Sequence, residues 1–168
     1  MRKIFKRYEA YIGVEEVLDK ITFSPAVAEC ARDSQDPEVM LTDGDRIEEF
    51  IEAYQNIDFS DEGRFTLMFV ILDSFNDVVM AGDVDLNLLW EKIKRLLTVD
   101  GLFYSNLVIY YASVDYGRNL EDAWPIAPYM RSILIDLVDQ YESMKEESDT
   151  PFLTDWDYLP EEWNDHMV

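Results

Sequence analysis

A long apolar segment in the middle of the chain places the tightest limit on the fold. Ser60 suits a helix N-cap, Asp61 and Glu62 suit the positive end of a helix dipole, and Gly82 is typical of a helix end, so the sequence predicts a helix between them. Apolar residues occupy nearly every face of this helix: Phe65, Leu67, Met68, Phe69, Val70, Ile71, Leu72, Phe75, Val78, Val79 and Met80. Because such a helix cannot face water, other elements have to cover it.

Apolar residues spaced three and four apart predict the covering elements. Amphipathic helices are expected over residues 8–20, 26–32, 45–57 and 86–97, with Ser24 as one cap and Asp83 or Asp85 as another. A last helix is predicted to begin near Trp124 or Pro128 and to end near residue 146. Residues 102–112 have strand propensity, but Ser105 or Asn106 can cap a helix there. A helix is therefore favoured for this segment, with a strand as the alternative.

Consecutive short helices joined by acidic or glycine-containing turns predict an all-α single domain. Residues 61–97 and 102–146 each have the pattern of a helical hairpin, which favours a HEAT-like stack of hairpins, with a plain helix bundle as the alternative. Residues 1–146 are assigned to this helical domain. Residues 147–168 are assigned to an acidic, aromatic C-terminal extension.

The charge of the chain limits its partners. The 168 residues carry a formal net charge of −22, yet 48% of them are hydrophobic, which is too many for an acidic disordered chain. Phosphate contacts require Lys and Arg, so direct binding to nucleic acid or to an anionic membrane is not expected, and a basic protein is the complementary partner. The sequence has one cysteine, no apolar N-terminal leader and no segment of about 20 apolar residues. We therefore expect a cytoplasmic protein without a membrane span.

No motif for catalysis, metal binding or cofactor binding is found in the sequence. Cys30 and His166 are the only soft metal ligands, and Cys30 is expected to be a small packed residue rather than a reactive thiol. Residues 58–63 imitate the start of an EF-hand loop, but Phe69 stands where that loop needs a glutamate. Phosphate-binding glycine loops are missing, so neither a cofactor nor an enzyme is predicted.

Two clusters among the many acidic residues of this chain are the candidate partner-binding residues. One lies on the polar face of the predicted 45–57 helix: Glu48, Glu49 and Glu52. The other lies in the C-terminal extension, where carboxylates alternate with aromatic residues: Asp155, Trp156, Asp157 and Trp163. Buried aromatics can anchor a partner while acids meet its Lys and Arg, although these tryptophans could instead cover the protein's own helices.

Four segments between residues 65 and 137 resemble an all-helical family of bacterial immunity proteins, the immunity-protein-30 type of polymorphic toxin systems. They are Leu72-Asp73-Ser74-Phe75-Asn76-Asp77, Leu89-Trp90-Glu91-Lys92-Ile93, Val108-Ile109-Tyr110-Tyr111-Ala112 and Trp124-Pro125-Ile126-Ala127-Pro128-Tyr129-Met130-Arg131. The resemblance implies a protein without catalytic activity that binds a cognate toxin domain and blocks its active site.

Two further functions stay open. An acidic protein can imitate nucleic acid and inhibit a restriction, repair or CRISPR enzyme, provided its carboxylates are spaced like duplex phosphates over an elongated surface. An enzyme using a pair of carboxylates is a third alternative, which would need a buried pair in a concave pocket. Neutralisation of a basic toxin is the leading hypothesis.

Overall fold

The computed structural model describes residues 3–82, 85–113 and 123–145, with side chains described as far as residue 136. These residues form an all-α fold without strands, as predicted. Its α-helices are α1 (Val14–Lys20), α2 (Pro25–Asp33), α3 (Ile47–Asn56), α4 (Asp61–Ala81), α5 (Leu86–Val99), α6 (Ser105–Ala112) and α7 (Ala127–Lys145). Three short 3₁₀ helices lie at Arg7–Tyr11, Val39–Leu41 and Gly44–Arg46.

The chain divides into two compact units. Unit 1 spans Met1–Leu107 and unit 2 spans Val108–Val168. Unit 1 is built around α4, which packs against α1, α3 and all three 3₁₀ helices. The predicted boundary between residues 146 and 147 lies at the limit of the described residues and stays a prediction.

Helix α4 has the caps and the burial that its sequence predicts. The Gly63 N–H donates to Ser60 Oγ over 3.0 Å, and Gly82 ends the helix with a φ of 75°, a left-handed conformation that favours glycine. Buried side chains occur on every side of α4 between Phe65 and Phe75. An aromatic cluster continues this core, formed by Phe5, Phe65, Phe103 and Tyr104.

One long helix was predicted over residues 8–20, and the structure divides it at Ile12 and Gly13 into a 3₁₀ helix and α1. A Cβ atom on Gly13 would lie 2.4 Å from the backbone oxygen of Glu62, so only glycine fits this approach to α4. The hydroxyl of Thr66 fixes the junction, because it accepts from the Gly13 N–H over 3.0 Å and donates to the Ala10 carbonyl over 2.5 Å.

The predicted caps of two other helices are confirmed. Ser24 accepts from the Val27 N–H at the start of α2, and Asp85 accepts from the Leu88 N–H at the start of α5. Residues 105–112 are helical, which resolves the ambiguity of that segment. Cys30 on α2 is exposed, so its predicted packing is wrong; the neighbouring Ala31 fills the buried position instead.

In unit 2, a buried arginine closes the end of α6. The Arg131 guanidinium donates from Nε to the Ala112 carbonyl over 2.8 Å and from Nη2 to the Ser113 carbonyl over 3.0 Å. Both carbonyls lie at the negative end of the helix dipole, where a cation is favourable. Burial lowers the pKa of Arg131. Near this helix end the Tyr111 and Trp124 rings pack edge to face, and the Trp124 N–H donates to Ser113 Oγ.

Candidate partner-binding surface

Helix α3 presents an apolar face to the core and an acidic face to solvent. Its apolar side chains are all buried: Ile47, Phe50, Ile51, Ala53 and Tyr54. The predicted binding residues Glu48, Glu49 and Glu52 are all exposed on the other face. Glu48 and Glu49 also lie in the first turn, where a carboxylate stabilises the helix through its dipole. The amphipathic spacing of α3 therefore predicts correctly that these three glutamates face away from the core.

Glu49 is held by an arginine within its own segment. Arg46 donates to the two Glu49 carboxylate oxygens over 2.9 and 2.6 Å and to the Thr22 carbonyl over 2.6 Å. Its guanidinium also lies over the rings of Phe23 and Phe50, at 4.6 and 5.1 Å. The hydrogen bonds from Arg46 lower the pKa of Glu49. Glu49 thus orients an arginine that covers two aromatic rings, and its charge is already compensated.

Glu48 is paired with a lysine from another helix. Lys92 Nζ of α5 lies 2.7 Å from both Glu48 carboxylate oxygens. Both side chains are exposed, so the pair contributes little to folding stability, about 0–1 kcal/mol. In contrast, the Glu52 carboxylate has no hydrogen bond or ion pair among the described residues. Of the three predicted glutamates, Glu52 alone presents an uncompensated charge there.

An acidic residue that sequence reasoning missed lies beside the turn that precedes α3. Gly44 packs on α4 beside Val78 and Asp77, since a Cβ atom there would lie 3.2 Å from Val78 Cγ2 and 3.6 Å from Asp77 Cβ. Asp77 is therefore beside the two aspartates that flank Gly44, Asp43 and Asp45, and all three are exposed. No sequence pattern links residues 44 and 77, because their proximity depends on tertiary packing. We refer to Asp43, Asp45, Glu48, Glu49, Glu52 and Asp77 as the acidic surface.

The other predicted binding group, Asp155, Trp156, Asp157 and Trp163, lies outside the described residues, as does His166. The aromatic residues between 103 and 124 differ in burial where they are described. Phe103, Tyr104 and Tyr111 are buried, whereas Tyr110 and Trp124 are half-buried.

One carboxylate is buried in the described part of the chain. Glu38 is 2% exposed, and Arg7 Nη1 donates to its Oε1 over 3.3 Å. Burial raises the pKa of Glu38, and the negative charges of Asp36 and Asp73 act in the same direction. Its Oε2 has no hydrogen-bond partner. The Arg7–Glu38 pair joins the N-terminal 3₁₀ helix to the turn before Val39.

The described residues contain no group of three or more metal-ligating side chains. They also contain no helix with the length and apolarity needed to cross a bilayer. Comparison of the chain with protein-family models, curated proteins and solved structures finds no match. The resemblance to immunity proteins of the immunity-protein-30 type therefore stays a prediction from the four sequence segments.

Proposed function

We propose that this chain is an immunity-type inhibitor that binds a cognate basic toxin domain and blocks its active site. Its net charge of −22 is consistent with a basic partner. Opposite charge attracts such a partner from a distance and raises the rate of association, and it disfavours acidic partners.

The observation that carries the proposal is the uncompensated charge of the acidic surface. The carboxylates of Asp45, Glu52 and Asp77 are exposed and have no cationic partner among the described residues. An isolated domain does not need these charges for its own packing. Lysines and arginines of a partner would supply the missing counter-charges at the rim of an interface.

The helical architecture is consistent with the resemblance to immunity proteins, which implies an all-α inhibitor. A rigid helical scaffold can present carboxylates in fixed positions, which reduces the entropy lost on binding. We assign no catalytic role to the acidic surface, because the function proposed for it is recognition. We also propose that the protein acts in the cytoplasm.

The direct test uses the protein encoded next to this chain's gene as the candidate toxin. We expect a one-to-one complex, with an association rate that falls steeply as salt increases. Stopped-flow fluorescence measures that rate, and a toxicity assay in cells measures neutralisation. A candidate that binds equally fast at low and high salt would remove the electrostatic basis of the proposal.

Paired charge reversals locate the attraction. Glu52→Lys combined with Asp77→Lys should slow association about tenfold at low salt, because both changes lie on the acidic surface. Glu29→Lys combined with Asp33→Lys makes the same change in net charge on exposed positions of α2. Equal slowing by both variants would show that only net charge matters and would contradict a specific role for the acidic surface. If a pull-down with the wild-type chain instead recovers a DNA-processing enzyme that duplex DNA displaces, nucleic-acid mimicry would be favoured.

A further inference from the structure

The turn that follows α2 is anchored by one buried side chain, and that side chain is a carboxylate. Among residues 32–40, Glu38 is 2% exposed and every other residue is exposed or half-buried. Glutamate is one of the residue types least often fully buried in proteins. A titratable group, and not an apolar one, therefore fixes this turn. We call residues 34–40 the Glu38 turn.

The Glu38 turn has few other ties to the protein. Its backbone hydrogen bonds are local: the Val39 N–H donates to the Asp36 carbonyl over 3.2 Å, and the Leu41 N–H donates to the Glu38 carbonyl over 3.3 Å. Within the described chain, one hydrogen bond joins residues 35–40 to a distant element, and Arg7 Nη1 donates it to Glu38 Oε1. Loss of that bond would leave the turn held mainly by its two ends.

The buried carboxylate is poorly compensated. Its hydrogen bond from Arg7 is 3.3 Å long, whereas bonds between a cation and a carboxylate are commonly about 2.7–2.9 Å. The second oxygen, Glu38 Oε2, has no hydrogen-bond partner. The Arg7 guanidinium also lies 4.8 Å from the centroid of the Phe69 ring on α4. A buried carboxylate with so few donors is more stable in its neutral form.

Charged groups act on Glu38 from three elements. Arg7 of the N-terminal 3₁₀ helix is the cation, while Asp36 of the turn itself and Asp73 of α4 are anions. Burial has the largest effect, and together with the two aspartates it outweighs Arg7 and raises the pKa of Glu38 above 4.5. Helix α2 also packs against the 3₁₀ helix that follows Glu38, and its charged residues are exposed: Glu29, Arg32 and Asp33.

We infer that the Glu38 turn is a pH-dependent clasp, which is docked on the protein while Glu38 is protonated and opens as Glu38 ionises. An ionised carboxylate regains its hydration when it leaves the buried position. Opening exposes little hydrophobic surface, because no apolar side chain of the turn is buried. The clasp requires no partner, so it stands apart from the proposed function.

The direction of the pH response follows from the two states of Glu38. In the open turn its pKa returns to the ordinary value of 4.5, and in the docked turn it is raised. Docking is therefore strongest at low pH and weakens as pH rises. Each pH unit between 4.5 and the raised value increases the open population about tenfold, and above the raised value the population stays constant.

NMR spectroscopy of the full chain tests the clasp. The carboxyl carbon of Glu38 reports its titration, and amide hydrogen exchange at Val39 and Leu41, corrected for the intrinsic pH dependence of exchange, reports opening of the turn. We expect Glu38 to titrate above 4.5, and protection of both amides to fall as pH rises from about 5 to about 8, with the same midpoint. Glu38→Gln should keep both amides protected throughout, because the amide side chain carries no charge. Glu29→Gln is the matched control on an exposed position of α2 and should leave the pH response unchanged.

Two further variants move the midpoint in opposite directions. Asp36→Asn removes a negative charge near Glu38 and should lower the midpoint, whereas Arg7→Leu removes the cation and should raise it. A role of Glu38 that is only structural would change protection without moving a midpoint. Circular dichroism checks that all variants stay folded.

Three results would overturn the clasp. One is a Glu38 carboxyl that titrates at or below 4.5, as expected if a buried water satisfies Oε2. Another is protection of Val39 and Leu41 that does not change with pH or that increases as pH rises. The third is an equal effect of Glu38→Gln and Glu29→Gln, which would assign the pH response to net charge.

Discussion

Replacing Thr66 with valine removes the two hydrogen bonds that hold the N-terminal 3₁₀ helix on α4. Thr66 is fully buried, and valine has nearly its shape without the hydroxyl. The Gly13 N–H and the Ala10 carbonyl would then be buried without their partner, at a cost of about 1–3 kcal/mol each. The extra apolar group offsets about 1 kcal/mol of this cost. We expect Thr66→Val to lower the free energy of unfolding by roughly 1–5 kcal/mol.

Thr66→Ser is the matched control, because it keeps the hydroxyl and loses only a buried methyl group, at about 1 kcal/mol. Urea unfolding followed by tryptophan fluorescence measures both variants, and amide hydrogen exchange at Gly13 reports the local effect. We expect the Gly13 amide to exchange much faster in the valine variant than in the serine variant. Equal stability of the two variants would refute the assignment of Thr66 as the link between the 3₁₀ helix and α4.

Four other substitutions test separate parts of the structure. Gly13→Ala should destabilise the fold by about 1–3 kcal/mol in chemical unfolding, since its Cβ would meet the Glu62 backbone, whereas Gly82→Ala should cost only about 1 kcal/mol from its left-handed φ. Arg131→Met should lower the thermal unfolding temperature and cost about 2 kcal/mol, because two carbonyls at the end of α6 lose a donor; an unchanged temperature would contradict this role. Glu38→Gln should stabilise the protein at pH 7. The folded-state pKa of Glu38 is raised, so the stability it contributes is present below the ordinary value of 4.5 and is lost as pH rises through the raised value. The advantage of glutamine should therefore disappear on acidification to below pH 4.5, and a constant advantage across a pH series would show that Glu38 is not the cause.

Local rules predicted much of this fold. The caps at Ser24, Ser60 and Asp85 depend on residues within three positions, and the structure contains all three hydrogen bonds. The burial of α4 followed equally from its apolar composition. In contrast, the break at Gly13 depends on the backbone of a helix some fifty residues later, so helical periodicity alone predicted a continuous helix.

The candidate site was predictable only in its local part. Amphipathic spacing placed Glu48, Glu49 and Glu52 on an exposed face. Pairing of Glu48 with Lys92 and the approach of Asp77 to Gly44 are long-range contacts that no local pattern encodes. Helical periodicity counted Tyr11 and Ile12 in the apolar stripe of one helix over residues 8–20, yet both are exposed, and the chain forms a 3₁₀ helix at Arg7–Tyr11 instead.

Recognition of a basic protein through charge, as we propose, is measured by the association rate between the wild-type chain and the product of the adjacent gene. Stopped-flow fluorescence gives this rate across a salt series. We expect rapid one-to-one association at low salt and an association rate that falls at least about tenfold as salt is raised from about 10 mM to about 1 M. A rate that does not change with salt, or the absence of a complex with any basic partner, would contradict it.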